Sequence, residues 1–344
     1  MRAPLPPYGK VPPEALAELV FTRLGAPDER VLVGPGVGED AAVIDMGDRA
    51  LVVHCDPITG ALRNLGWLAV NVAANDVACR GARPRWLLLT LLLREGAGAA
   101  ELREVMEQVD EACRRLGASV VGGHTEVVAG LRRSVAVATA MGEAPRGRLI
   151  TSSGARPGDV LIITKGACIE GAAIMAHELE EEALKKLSRS ELEYLKSFLW
   201  RVSVVPEAMA AAEAGAAAMH DATEGGVLGA VQELAWASGV GARVFEERVA
   251  VDPVVRRLCE ALGVDPLRTI SSGTLVVAAR PGEAGRVVDA IRRAGAEAYE
   301  VGLATPPEEG VCLVKRGGEV EELKEPVREG LWEALERFGW TDGG

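Results

Sequence analysis

Residues 65–81 read LGWLAVNVAANDVACRG, and this stretch decides how the rest of the chain is interpreted. It predicts a helix that ends near Gly81 and is apolar nearly all round, as buried helices are. The helix nevertheless carries Asn71, Asn75 and Asp76, which include two of only three asparagines in the chain. A polar cluster inside an apolar helix indicates that something satisfies it.

Asn71 and Asn75 are four residues apart and therefore share one face of the predicted helix. Burying such a side chain without a partner costs about 1–3 kcal/mol. The partner can be neighbouring backbone, which is a purely structural interpretation, or a metal ion or nucleotide, which is a functional one. The sequence leaves both open, with Asp76 as the adjacent carboxylate.

The stretch GPGVGEDAAV, residues 34–43, places three glycines before Glu39 and Asp40. Glycines such as Gly38 let the backbone approach a ligand closely. No Gly-Lys-Ser/Thr follows, so the stretch is not a Walker loop, and it precedes a strand, which argues against a dinucleotide fingerprint. A plain turn is the structural alternative.

The following segment, AAVIDMGDRALVVHCD, predicts a β-hairpin that turns at Gly47 and Asp48. A two-residue turn places Glu39 opposite Asp56, and a three-residue turn places Asp40 there. Two facing carboxylates need a cation or water between them, and such oxygen ligands suit Mg²⁺. A hydrated hairpin end is the alternative.

The segment VVGGHTEVV predicts a buried strand that ends at Gly122 and Gly123. The bare backbone there can approach a phosphate, and the adjacent His124 and Thr125 supply hydrogen-bonding groups. A histidine in the core, without a ligand, is the structural alternative for His124.

HDATEGG places Asp221, Thr223 and Glu224 between a predicted strand and a helix that opens at Gly225–Gly226. A helix N-terminus attracts anions because its first amides and its dipole are unpaired. An ordinary N-cap explains Asp221 or Thr223 singly, although not the whole cluster. TKGACIEGAA, which contains Lys165, is a second strand-loop-helix of this type.

The composition excludes several partners. Of 344 residues 48% are hydrophobic, and 38 Lys and Arg against 50 Asp and Glu give a net charge of −12. Nucleic acid and anionic membranes both require a basic face, so neither is expected. Six cysteines without a CxxC pair predict neither a zinc site nor a disulfide framework. The N-terminal MRAPLPPYGK has no apolar signal core, so a cytoplasmic protein is expected.

Strands and helices mix along both halves of the chain, which predicts an α/β or α+β fold. The segment SSGARPGD near residue 150 predicts a linker, with Pro157 and Gly158 as its turn residues. We therefore expect two domains, residues 1–150 and 151–344, which the chain length accommodates.

The motifs, in their order along the chain, resemble the ATP-binding superfamily of aminoimidazole ribonucleotide synthetase. The series is GVGEDAAV, VVHCD, AVNVAANDVACRGARP, VVGGHTE, GDVLIITKG and DATEGGVLGAVQELAWASGVG. Thiamine monophosphate kinase, selenophosphate synthetase and the carbamoyl dehydratase of hydrogenase maturation belong to that superfamily. The resemblance implies two α/β domains, a homodimer whose N-terminal domains build a shared β-barrel, and ATP in a cleft with Mg²⁺ on its phosphates.

The resemblance also implies roles for the residues in matching motifs. The carboxylates facing Mg²⁺ and the phosphates would be Asp40, Asp56 and Asp76. Contacts to the nucleotide would come from Gly38, Asn71, Gly122, Gly123, Thr125 and Lys165. Groups facing the substrate, where catalysis occurs, would be His124, Asp221, Thr223 and Glu224.

DATEGGVLGAVQELAWASGVG and LGVDPLRTISSGTLVVAA look closest to the hydrogenase-maturation branch. That branch acts through a cysteine at its C-terminal end, whereas this sequence ends FGWTDGG and its last cysteine is Cys312. The expected function is ATP- and Mg²⁺-dependent phosphoryl transfer that activates an amide or carbonyl, or phosphorylates another small substrate, with room for a partner protein in a maturation pathway. The alternatives are a nucleotide-binding scaffold or regulator without turnover, and a metabolite-binding domain without ATP.

Overall fold

The computed structural model describes residues 11–36, 38–59 and 63–338, apart from the side chains of Pro13 and Glu14. Its two β-sheets and the surrounding helices form the mixed α/β architecture that the sequence predicts. The N-terminal ten residues and the end after residue 338, including most of FGWTDGG, lie outside the described residues.

The described part of the first half forms a six-stranded sheet in the order β1-β2-β3-β6-β4-β5. Its strands are β1 (Val31–Val33), β2 (Ala42–Asp45), β3 (Arg49–Ile58), β4 (Arg83–Leu93), β5 (Ser119–Val127) and β6 (Val135–Pro145). All neighbours are antiparallel except β4 and β5, which run parallel.

The described part of the second half forms a seven-stranded sheet in the order β13-β12-β9-β11-β7-β10-β8. Its strands are β7 (Val160–Thr164), β8 (Ala218–Asp221), β9 (Gly241–Phe245), β10 (Leu275–Ala279), β11 (Ala298–Thr305), β12 (Val311–Val314) and β13 (Val320–Glu322). Strand β8 lies at one edge, so Asp221 ends a strand at the border of the sheet.

The α-helices of the described residues are α1 (Pro13–Leu19), α2 (Leu65–Cys79), α3 (Ala99–Leu116), α4 (Ile169–Glu178), α5 (Glu180–Ala183), α6 (Arg189–Lys196), α7 (Val205–Ala214), α8 (Gly226–Ser238), α9 (Pro253–Leu262), α10 (Ala284–Arg293) and α11 (Gly330–Arg337). None of them is long and apolar enough to cross a membrane. The charged stretch of residues 180–201 forms α5, α6 and a 3₁₀ turn. A capping box explains why α6 begins where it does, because Ser188 and Glu191 satisfy each other's backbone amides.

Helix α2 is the element around which both sheets assemble, and all fifteen of its residues are buried. Its Leu68 and Val72 belong to the core that contains the first sheet. Its Ala74 and Ala78 belong instead to the core formed by α7, α10 and the second sheet. A helix buried between two cores must be apolar all round, as the sequence of α2 predicts.

The asparagines of α2 are satisfied by backbone groups. Asn75 Nδ2 donates to the carbonyl oxygen of Val202 at 2.8 Å, and the amide of Val204 donates to Asn75 Oδ1 at 2.8 Å. Asn71 Nδ2 donates to the carbonyl oxygen of Trp67 at 2.8 Å. The structural alternative therefore accounts for Asn75, which fastens α2 to the segment before α7.

The hairpin of β2 and β3 has the two-residue turn that the sequence predicts. Asp45 pairs with Ala50, and the amide of Met46 donates to the carbonyl oxygen of Arg49 at 2.9 Å. This register would bring Glu39 opposite Asp56 if the strands continued. The ladder stops at Ala42, however, and Glu39 turns away to a cation described below.

The prediction of a buried strand ending at Gly122–Gly123 is wrong. Strand β5 continues through both glycines to Val127, and all its residues are exposed because β5 lies at the edge of the sheet. A Cβ on Gly123 would lie 1.8 Å from the carbonyl oxygen of Leu89. Glycine here permits the close approach of β4 and β5.

Gly66 tests the packing that holds α2 in place. A Cβ at Gly66 would lie 2.2 Å from the carbonyl oxygen of Val105 in α3. We expect Gly66→Ala to lower the free energy of unfolding by about 1–3 kcal/mol or more, because α3 must move away. In Gly285→Ala, on α10, the added methyl meets nothing within 4 Å. That control should be neutral or slightly stabilising, and equal urea midpoints for the two variants would contradict the packing described here.

Candidate functional site

A pocket of about 890 Å³ is lined by α2, by both sheets and by the segments that follow β1 and β8. This volume is typical of small-molecule sites. Its walls include seven residues that the sequence predicts as site residues: Gly38, Asp40, Asp56, Asp76, Asp221, Thr223 and Glu224. The structure therefore brings together carboxylates that are up to 184 positions apart, from Asp40 to Glu224.

Different elements carry these carboxylates to one place. Asp56 lies on β3, Asp76 lies in the last turn of α2, and Asp221 ends β8. Asp40 precedes β2 and is only 7% exposed, while Asp76 is 6% and Asp221 1% exposed. Such burial of several acids around an open pocket is costly unless cations compensate their charges.

One compensating cation is Arg80, which directly follows α2 and is completely buried. Its Nη2 lies 2.9 Å from Glu39 Oε2, and its Nη1 lies 3.6 Å from Asp40 Oδ2. Nη1 also donates to the Ser152 hydroxyl at 3.0 Å. Arg80 thereby fixes the glycine-rich loop before β2 against the end of α2.

His220 supplies a second positive charge from β8. Its Nε2 lies 3.1 Å from Asp40 Oδ1 and 3.2 Å from Glu233 Oε2. Burial by itself lowers the pKa of His220, but the charges of Asp40 and Glu233 outweigh it and raise that pKa to about 9. At neutral pH the imidazole is therefore protonated and bridges the two carboxylates.

His54 and Asp76 form the opposite side of the acidic group. His54 Nε2 lies 3.4 Å from Asp76 Oδ2, and its Nδ1 contacts the carbonyl oxygen of Asp40. Burial raises the pKa of Asp76 well above its usual value, and the charges of Asp221 and Asp40 add to this. Burial also lowers the pKa of His54. The site thus lacks enough positive charge to keep all its carboxylates ionised.

The donor set fits a divalent cation. Asp40 and Asp221 each offer a carboxylate oxygen, and these atoms lie within 4.8 Å of each other, whereas the protonated His220 between them has no lone pair free for a metal. With Asp56 and Asp76 on the same pocket wall, the donors are mainly hard carboxylate oxygens, which Mg²⁺ prefers. A bound cation would also remove the repulsion that raises the pKa of Asp76.

The N-terminus of α8, predicted as an anion site, already holds an internal carboxylate. Glu329 Oε2 accepts from the amide of Gly225 at 2.7 Å, and Oε1 accepts from Ile270 at 3.0 Å and Leu331 at 2.7 Å. Burial raises the pKa of Glu329 in spite of these hydrogen bonds. An incoming anion would have to compete with Glu329 for the Gly225 amide.

The other predicted site residues do not line this pocket. Residues 122–125 lie on β5, and the register runs from Asp56 through two intervening strands to Gly123, a distance of about 14 Å at the usual strand spacing. Lys165 Nζ lies 2.6 Å from Glu207 Oε1 and donates to two carbonyl oxygens near α7. Asn71 is held within α2.

Four residues in or beside the pocket escaped the sequence interpretation: Arg80, His220, Glu170 and Glu329. Arg80 lies in the segment CRG and His220 in the segment HDATEGG. Both segments were interpreted through the residues next to them. An arginine closing an otherwise apolar helix is the signal that could have identified Arg80. The positions of Glu170 and Glu329 in the pocket wall depend on contacts between distant parts of the chain, which a local sequence pattern does not contain.

The charge of His220 makes stability depend on pH. A histidine whose folded pKa of about 9 exceeds its unfolded value contributes its full stability below about pH 6.5 and loses it as pH rises through 9. As pH rises through this window, the free energy of unfolding should fall for the wild type by up to about 3 kcal/mol more than for His220→Gln. Urea titrations in EDTA at several pH values measure this. The exposed His124→Gln variant should keep the wild-type slope, and parallel curves for wild type and His220→Gln would contradict the ion pairs.

Comparison with known proteins places the chain in a family. The family model for the N-terminal domain of AIR synthase related protein matches residues 38–144, and the model for the C-terminal domain matches residues 156–315. Carbamoyl dehydratase HypE of Rhodobacter capsulatus is 32% identical over 310 residues, which cover 88% of this chain and 84% of that protein. A putative hydrogenase expression/formation protein of Methanocaldococcus jannaschii is 28% identical over 319 residues, covering 89% and 91% of the two chains.

Solved structures share the fold. A chain from the crystal structure of a HypE–HypF complex matches with a TM-score of 0.74 at 23% identity, covering 91% of this chain and all of that one. Hydrogenase maturation protein HypE in complex with ATP matches with a TM-score of 0.68 at 22% identity, covering 91% and 95%. Matched by both family models and by a relative of more than 30% identity, the chain belongs to the AIR synthase related protein family.

Proposed function

We propose that this protein is an ATP- and Mg²⁺-dependent enzyme that transfers the γ-phosphoryl group of ATP to a small substrate. The acceptor is an amide or carbonyl oxygen, which phosphorylation converts into a leaving group, or another nucleophile of a small molecule. The observation that carries the proposal is the convergence of Asp40, Asp56, Asp76 and Asp221 in one pocket of suitable volume.

In this proposal Asp40, Asp56 and Asp76 hold the magnesium, and Asp221 faces it from the second sheet. Bound Mg²⁺ neutralises the phosphates and the charge that develops during transfer. Arg80 and the protonated His220 keep Asp40 in place from two directions, which orients its carboxylate before ligand arrives. Such preorganisation is the main protein contribution to phosphoryl transfer.

The loop between β8 and α8 would face the reacting phosphoryl group and the acceptor. Thr223 and Glu224 lie on this loop and line the pocket. Because Glu329 takes the amide of Gly225, the start of α8 is a poor place for a phosphate. We therefore place the phosphates at the carboxylates, with metal between them, and the acceptor toward Thr223 and Glu224.

The relatives support a link with hydrogenase maturation. Two of them carry the names carbamoyl dehydratase HypE and putative hydrogenase expression/formation protein, and a HypE of the same fold was solved with ATP. One HypE chain of this fold was solved with HypF, which supports a partner protein as part of the proposal. Cys312 lies on β12 and is not a pocket residue, so the proposal specifies phosphoryl transfer and not carbamoyl dehydration through that thiol.

We also propose a homodimer of two-domain subunits, divided near residue 150, in which the first sheets of two copies pair. One face of this sheet packs on α2 and α3, whereas Trp86 and Leu88 on β4 are 36% and 41% exposed. Among the described residues β5 pairs only with β4, and its Val121 and Val127 are each 55% exposed. An open edge with apolar side chains favours pairing with another strand.

Asp76→Asn tests the metal assignment. The substitution keeps the volume of the side chain and removes its ability to ionise. We expect affinity for ATP to fall at least tenfold when Mg²⁺ is present and to stay unchanged without it, because the lost contact is to the metal. Stability without ligand should stay equal or rise, since burial disfavours the ionised Asp76. Calorimetry with and without Mg²⁺, beside thermal melting, measures both.

Two results would remove the proposal for Asp76. One is a destabilised variant that still binds Mg-ATP like the wild type, which would make Asp76 purely structural. The other is a wild type that shows no heat and no melting shift with millimolar Mg-ATP, since a ligand of the native state must stabilise it.

Leu88→Glu tests the dimer. Placing a charge on the open apolar face should convert the particle from twice 36.1 kDa to a monomer at micromolar concentration. Val320→Glu, on the edge strand β13 of the second sheet, changes an even more exposed apolar residue and should leave the dimer intact. Light scattering that reports a monomeric wild type would contradict the proposal.

A further inference from the structure

Glu170 is a buried carboxylate that the proposed phosphoryl transfer does not use. It lies in the first turn of α4, lines the pocket, and is only 4% exposed. Its Oε2 has no hydrogen-bond partner among the described residues, and none of their basic side chains forms an ion pair with it. An unpaired buried carboxylate costs several kcal/mol, so its retention in a pocket wall indicates a partner from outside.

Two backbone amides beside Glu170 have other acceptors. Ile169 donates to the Ser271 hydroxyl at 3.0 Å, and Gly171 donates to the carbonyl oxygen of Ile270 at 2.9 Å. Ser272 lies near enough to Glu170 to oppose the rise in its pKa, although neither the Ser272 hydroxyl nor Glu170 Oε2 makes a hydrogen bond of good geometry in the described part of the chain. Glu170 and Ser272 therefore both present unused polar atoms to the pocket.

The surrounding charges select the kind of ligand. Burial, with the charges of Asp56, Glu329 and Asp221, raises the pKa of Glu170 to about 7 against the opposing effect of Ser272. The described pocket lining contains ten carboxylates against two positive charges, the exposed Arg328 and the protonated His220. The negative electrostatic potential of this lining attracts cations and repels carboxylate or phosphate groups that carry no metal.

The side chains beside Glu170 are apolar. Ile174 lies one turn further along α4 on the same face, and Leu331 of α11 is 1% exposed. Ile270 completes this wall of the pocket. A carboxylate at the end of an apolar wall is complementary to an alkyl chain that ends in a positive group.

We propose that the Glu170 end of the pocket binds the positively charged end, an alkylammonium or alkylguanidinium group, of the substrate. Glu170 forms the ion pair, Ser272 accepts a further N–H, and Ile174 and Leu331 pack on the alkyl stem. This inference rests on the proposed function, because it names the substrate class of the same pocket. It assigns the acidic wall near α4 to substrate and the wall near α2 to Mg-ATP.

The experiment compares three probes of equal length on the full chain at neutral pH: n-butylammonium, butyramide and butyrate. Calorimetry should show n-butylammonium binding at least tenfold more tightly than the neutral or anionic probe. Glu170→Gln should weaken n-butylammonium at least tenfold while the affinity for Mg-ATP stays within twofold. Glu333→Gln removes a charge from an exposed residue of the same pocket and should leave both affinities near the wild type.

Glu170→Asp serves as the second variant in case the first one folds poorly. It keeps the charge but withdraws it by one methylene, so it should weaken n-butylammonium less and preserve the preference over butyramide. Three results would overturn the inference. The wild type could bind butyramide as tightly as n-butylammonium, or it could bind none of the probes. The third result is a Glu170→Gln protein that binds n-butylammonium like the wild type. Failure of Mg-ATP to bind is a separate outcome that concerns only the proposed phosphoryl transfer.

Discussion

The ion pairs of Arg80 are the constraint on which the site depends. A guanidinium with no exposure to solvent must find acceptors, and Arg80 finds them in Glu39, Asp40 and Ser152. These acceptors belong to the glycine-rich loop and to the segment that leads into the second half. Removing one partner of a buried pair typically costs 3–5 kcal/mol. Moving Asp40 away from Arg80 would therefore lower the free energy of unfolding, and this keeps Asp40 in position.

Around Arg80 the described residues combine an excess of negative charge with two buried counter-charges, Arg80 and the protonated His220. Asp76 and Glu170 lie on different walls and are both left without a cation, which is why burial raises the pKa of each. The two walls differ in their other lining. Asp76 faces further carboxylates and His54, which suits a hydrated metal ion, whereas Glu170 adjoins Ile174 and Leu331.

Periodicity and motif order predicted much of this arrangement. The apolar helix α2 and the two-residue hairpin turn follow from local patterns that the structure reproduces. The grouping of Asp40, Asp56, Asp76 and Asp221 was implied only by the family resemblance, and all four residues line one pocket. Lys165 next to a glycine suggested a nucleotide contact, but Glu207, 42 positions away, pairs with it. No local pattern contains that information.

The error at β5 has a similar cause. A run of valines beside two glycines is equally compatible with a buried strand and with an edge strand. Burial is decided by which strand lies next to it, and that depends on the order of strands in the sheet. The role of Glu329 could not be predicted for the same reason, because its three hydrogen bonds from backbone amides join segments up to 104 positions apart.

The position of α2 between two cores has a consequence for how the chain folds. Asn75 bonds to residues 127 and 129 positions further along, and Ala74 and Ala78 pack against helices of the second half. During synthesis the first half alone would therefore leave one face of α2 without its cover until α7 has emerged from the ribosome. Late long-range contacts of this kind slow folding and make the stability of each half depend on the other.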